Sequence, residues 1–259
     1  MIETDLSEGK GEGKAEEEKG KGDFITKKED PQTKTKNSEK LYLLFGKVII
    51  SIAELNGKLK ILHGDIRPEN IMIKFNRIGD SSDVDLEPEI MNFDLMLENN
   101  SGQDLFDPTV RYQFDYRSPE MSEKIAYSSS SRTYYFKSDP LPFKFSQDFV
   151  EDVYALGKTI RTVLTTYEKY LDTQFYGYKF LNSISDGMTS SRFHLSSPQK
   201  STPPGMTYKK IRPNMKALLK SFTLAMKGCA DCKDKTPYKN FIARAERSLL
   251  YIPDLPILI

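Results

Sequence analysis

The chain of 259 residues has no tryptophan, two cysteines and two histidines. Two cysteines build no disulfide framework, so a reducing compartment, the cytoplasm, is the expectation. His194 stands alone in a Ser/Pro-rich stretch, with no second histidine near it to share a metal or a proton. No apolar run approaches the roughly 20 residues needed to span a bilayer. Residues 1–40 also lack the apolar core of a signal peptide. Charge of one sign is missing too: 38 basic residues face 37 acidic ones, a net +1. Such a balance gives no strong field to attract nucleic acid or an anionic membrane, so neither is expected as a partner. Residues 1–38 lack large apolar side chains except Ile2, Leu6, Phe24 and Ile25. A segment that cannot bury apolar surface cannot offset its ordering entropy, so 1–38 reads as a disordered charged tail.

What is present begins with helical periodicity. Leu41, Leu44, Phe45, Val48, Ile52 and Leu55 fall on one face, with Ser38 as cap and Asn56-Gly57 as stop. Apolar positions 149, 153, 156, 160 and 163/164 mark another helix, and 168–185 a further one with aromatic faces. Met215, Leu218, Leu219, Phe222 and Met226 mark a helix after Pro213, and Thr236-Pro237 opens the last one. Two short apolar strands, 71–73 and about 89–92, should pair as a hairpin around a polar, acidic loop. The expected class is mainly α with one short β-hairpin. Cys229 and Cys232 form C-x-x-C with no second ligand pair and no βαβ context, so they read as structural cysteines.

The chemistry lies in four stretches that occur in one order. His63-Gly64-Asp65-Ile66-Arg67-Pro68-Glu69-Asn70 comes first, followed by the apolar Ile71-Met72-Ile73. Ile90-Met91-Asn92-Phe93-Asp94 is second, and Tyr116-Arg117-Ser118-Pro119-Glu120 third. Asp152-Val153-Tyr154-Ala155-Leu156-Gly157 is fourth. The first resembles the H-R-D-x-K-P-E-N catalytic loop of eukaryotic-type protein kinases, and the others resemble D-F-G, A-P-E and D-V-W-S-L-G. The resemblance covers about residues 40–250 and implies the mainly helical large lobe of that family. A domain at 39–252 with a C-terminal tail at 253–259 is the expectation. Nothing in residues 1–40 supplies the strands, Gly-rich loop, lysine and glutamate of a small lobe, so a small lobe absent from the chain is expected.

The resemblance implies roles residue by residue. Asp65 would accept and orient a substrate hydroxyl, and Arg67 would take the place of the lysine that donates to a γ-phosphate. Asn70 and Asn92 would be the metal ligands and nucleotide contacts, with Met72 beneath the adenine. His63 and Phe93 would pack together, Glu120 would pair with a basic residue late in the chain, for which Lys235 is the candidate, and Asp152 would anchor the catalytic loop. ATP and Mg²⁺ are the implied cofactors, and a protein substrate or protein partner the implied company. Gly64 stands where the family has the arginine that binds a phosphorylated segment. Phosphate on Ser101, Thr109, Tyr112 or Tyr116 is therefore not expected to act as a switch. Asn92 stands where the family has a carboxylate. A neutral amide oxygen beside Mg²⁺ replaces the charged ligand that this hard cation favours. The expected function is that of a truncated or degenerate kinase, a pseudokinase with impaired phosphotransfer acting as a binding module. The alternative is an active Ser/Thr kinase completed by a small lobe from elsewhere.

Overall fold

A computed structural model describes residues 30–77, 84–94, 96–98, 116–119, 122, 125–128, 130, 133–136, 145–190, 213–230, 232 and 235–252. The expected tail up to residue 29, Ser101, Thr109, Tyr112, Glu120, His194 and the tail at 253–259 lie outside the described residues.

Helix α1 spans Pro31–Glu54. It starts earlier than the periodicity suggests, because Pro31 takes a first-turn position where its missing N–H is no loss. Residues 31–38 are therefore helix and not tail. Their partners are remote in sequence. Thr35 donates to the Asp172 carboxylate at 2.8 Å, and Asn37 donates to the Tyr170 carbonyl at 3.2 Å. Ser38 is not a cap: it is buried, and its hydroxyl accepts the Asp172 N–H at 2.8 Å. At the other end Asn56-Gly57 does not stop the helix. The chain runs on through a wider π turn, Leu55–Leu59, and breaks at Lys60, whose φ is 59°. Gly57 allows a close approach there, since a Cβ would come 2.5 Å from Cγ2 of Ile252.

Among the described residues six strands form two-stranded antiparallel pairs. They are β1 (Ile61–Leu62), β2 (Ile71–Arg77), β3 (Val84–Ile90), β4 (Leu97–Glu98), β5 (Ile125–Ser128) and β6 (Thr133–Phe136). The pairs are β1 with β4, β2 with β3, and β5 with β6. The β2–β3 ladder runs from Ile71 opposite Ile90 to Arg77 opposite Val84. It is longer than expected: Asp85 and Glu87 belong to a strand, not to an acidic loop.

Helix α2 (Phe145–Tyr167) is followed by a short 3-10 turn, Glu168–Tyr170. Then come α3 (Tyr176–Met188), α4 (Met215–Gly228) and α5 (Thr236–Tyr251). The single helix expected over 168–185 is thus a turn and then a helix. Asn214 caps α4 by accepting the Ala217 N–H at 2.8 Å. Val153, Leu156, Ile160 and Leu164 of α2 are buried as the periodicity requires. An aromatic cluster fills the space between α1, α3, α4 and α5: Tyr42–Phe222 at 4.9 Å, Phe180–Phe222 at 5.4 Å and Phe222–Phe241 at 5.8 Å between ring centres. The mainly helical class is as expected. Cys229 and Cys232 are buried in this core and joined as a disulfide. Successive turns after α4 bring their Cα atoms to 5.2 Å, within bonding range. Among the described residues no helix is long and apolar enough to cross a membrane.

Candidate functional site

The segment between β1 and β2, residues 63–70, has one 3-10 turn, Pro68–Asn70, and is otherwise irregular, so its shape depends on what grips it. Asp152, on the buried face of α2, is completely enclosed. One of its oxygens accepts the His63 N–H and the Asn56 side-chain N–H, each at 2.9 Å. The other accepts the Gly64 N–H at 2.9 Å. Gly64 has φ 79°, a left-handed conformation that favours glycine. Burial pushes the Asp152 carboxyl above its ordinary value, against the pull of these donors. Two turns along α2, Thr159 donates to the Ile66 carbonyl at 3.1 Å. Helix α2 thus holds the segment at residues 63, 64 and 66.

The far side of the segment is held by Arg117, which donates to the Gly64 carbonyl at 3.2 Å. Its guanidinium lies 4.0 Å from Glu151, whose carboxylate accepts the Ser118 N–H at 3.0 Å. Burial pushes Glu151 above the usual carboxylate range, with Ser118 and Arg117 opposing.

Within this frame, Asn70 donates to Asp65 twice: to its carbonyl at 2.9 Å and to its carboxylate at 2.7 Å. The Arg67 Nε lies 3.1 Å from the same carboxylate oxygen, a charge contact in which Nε has no hydrogen-bond partner. The other carboxylate oxygen of Asp65 accepts no hydrogen bond from the described residues. The Asn92 amide donates to the Asn70 side-chain oxygen at 3.5 Å, and Asn92 itself has φ 63°. Asn tolerates that conformation better than most side chains. His63 is buried; its Nδ1 accepts the Asp65 N–H at 3.2 Å and its Nε2 lies 3.0 Å from the Met91 carbonyl. An acceptor at Nδ1 and a carbonyl at Nε2 assign the neutral ring with its proton on Nε2. The Phe93 ring sits 4.7 Å from the His63 ring, yet Phe93 remains 40% exposed.

The structure therefore brings together Asp65, Arg67, Asn70 and Asn92, with His63, Phe93 and Asp152 around them. Met72 lies on β2 and is exposed. Lys235 pairs with Glu39 at 2.6 Å, while Glu120, its expected partner, lies outside the described residues. Sequence reasoning missed Asn56, Arg117, Glu151 and Thr159 as holders of the segment. Glu151 carried a signal: a carboxylate directly beside Asp152 on a helix with a buried face, though the helix begins at Phe145, about two turns before Asp152.

No protein-family model, curated protein or solved structure matches this chain. The donor set itself bears on Mg²⁺. The site offers the neutral amide oxygens of Asn70 and Asn92; the Asn70 NH2 is turned to Asp65, and its oxygen accepts from the Asn92 amide at 3.5 Å. Among the described residues no cluster of His, Cys, Asp or Glu could hold a metal ion. Mg²⁺ favours carboxylate oxygens in near-octahedral array. These residues do not fit a tightly held Mg²⁺.

Proposed function

We propose that the chain is a kinase-like binding module in which phosphotransfer is impaired, its partner being a protein. The observation that carries this reading is the Asp152 carboxylate, which gathers the N–H groups of His63 and Gly64 and so presents Asp65 and Asn70 from a fixed loop. A loop held so firmly is pre-organised for binding. Transfer of a phosphoryl group is almost all positioning and charge, and Asn92 brings no negative charge to a metal. One further fact supports binding over catalysis. Met72, Phe75, Met91 and Phe93 are exposed on the β2–β3 hairpin and the residues after it, with Phe75 73% exposed. Exposed apolar groups clustered in one stretch of chain mark contact surfaces.

A second reading is an active Ser/Thr protein kinase that uses ATP and Mg²⁺ when completed by a small lobe from another segment or chain. It draws on Asp65, whose second oxygen is left to receive a hydroxyl proton while Asn70 and Arg67 hold the first. Thermal unfolding of the purified chain with ATP, with and without Mg²⁺, separates the two. Ligand at 100-fold its Kd adds about 2.7 kcal/mol. The proposal expects no rise in midpoint that depends on Mg²⁺. A Mg²⁺-dependent rise, together with phosphate transfer that Asp65→Ala abolishes, would overturn it in favour of the second reading.

A further inference from the structure

The β2–β3 hairpin ends at the site. Asn70 immediately precedes β2, Asn92 follows β3 by two residues, and the Met91 N–H closes the base by donating to the Asn70 carbonyl at 2.9 Å. Any tilt of the hairpin thus moves the two amides relative to each other. An isolated two-stranded hairpin is marginal in water, and this one has little apolar anchorage beyond its base. Ile71 and Ile90 pack against the core, while Met72 and Phe75 face solvent.

What seats it on the body is a charged cluster. Lys47, on α1, has a side chain only 11% exposed. Its ammonium donates to Asp85 at 2.7 Å, to the Leu86 carbonyl at 2.9 Å and to Glu87 at 2.9 Å. All three of its protons go to consecutive residues of β3. The other oxygen of Glu87 accepts from Arg244 of α5 at 2.9 Å. Three elements, α1, β3 and α5, meet in one network, in which each partner on β3 is polar.

We infer that Lys47 is a positioning residue: through Asp85, Glu87 and Arg244 it sets the placement of the Asn70 and Asn92 amides. This rests on reading those amides as the site. The test needs no ligand, so it can fail independently of the nucleotide reading. Side-chain amide signals of Asn70 and Asn92 are recorded by NMR in the full chain, together with backbone hydrogen exchange. In Lys47→Met, which keeps the stem and loses the charge, both side-chain signals should shift or broaden. Exchange across residues 84–90 should rise at least tenfold while α2 and α4 exchange as before. Lys47→Arg, which keeps the charge, should restore the wild-type signals. Should Lys47→Met fail to fold, Arg244→Met asks the same question from the outer side of the cluster and should shift both signals in the same direction by a smaller amount. Faster hairpin exchange with unmoved Asn70 and Asn92 signals, in either variant, would overturn the inference and leave Lys47 a purely structural group.

Discussion

Replacing Asp152 by alanine should come close to unfolding the chain. The carboxylate is fully buried and is the acceptor for the His63 and Gly64 N–H groups and the Asn56 amide. Removing it leaves three donors in a site that water does not reach. Each orphaned buried group costs about 1–3 kcal/mol, and such costs are not fully additive. Loss of one partner from a buried charged network costs about 3–5 kcal/mol, and that range is the expectation for Asp152→Ala. A domain holds only about 5–15 kcal/mol in all. Asp152→Asn is milder. Its oxygen can keep the His63 and Asn56 bonds, but its NH2 then faces the Gly64 N–H, a donor against a donor. One bond is lost, for about 1–3 kcal/mol. Urea unfolding followed by circular dichroism should rank wild type, then Asn, then Ala, with similar slopes against denaturant. An alanine variant within about 0.5 kcal/mol of wild type would refute the account, because surface-like tolerance is foreign to a buried anchor.

Two other outcomes follow from the same geometry. Gly57→Ala places a Cβ 2.5 Å from Ile252 Cγ2 and should cost about 1–3 kcal/mol. Ile252→Ala in the same chain should relieve much of that cost, and a double-mutant cycle without coupling would show that the two do not collide. Burial raises Glu151 above its ordinary 4.5, so the folded chain binds this proton more tightly than the unfolded one. That contribution is fully present below the ordinary value and is lost as pH rises through the raised one. Asp152, raised by the same cause, acts in the same direction. Glu151→Gln should therefore lose less stability than wild type as pH rises above 4.5 in urea titrations, whereas an unchanged pH slope would remove Glu151 from the account.

Much of the helical frame was legible in the sequence because its signal is local. The spacing of Val153, Leu156, Ile160 and Leu164 identifies a buried face, and all four are buried. Asp152 stood out as a carboxylate at the head of that face. What escaped notice depends on partners far along the chain. Residues 31–38 look like a tail because their side chains are polar. Thr35, Asn37 and Ser38 find their partners at Tyr170 and Asp172, more than a hundred positions later. Asp85 and Glu87 look like loop residues for the same reason, since Lys47 and Arg244 neutralise them from two separate helices. Asn56-Gly57 reads as a helix stop by its chemistry alone. Here the Asn side chain is spent on Asp152 and the Ile61 carbonyl, and the Gly on contact with Ile252.

The central claim is that Asn92 denies the site an effective metal. The most direct test compares ATP-dependent thermal stabilisation, with and without Mg²⁺, in the wild-type chain and in Asn92→Asp. Asp is nearly the same shape and tolerates the left-handed backbone at this position, where φ is 63°. It adds the charged oxygen that Mg²⁺ favours. The account predicts no Mg²⁺-dependent rise for the wild type and a clear one for Asn92→Asp. A wild-type chain that gains as much from Mg²⁺ as the aspartate variant would contradict it.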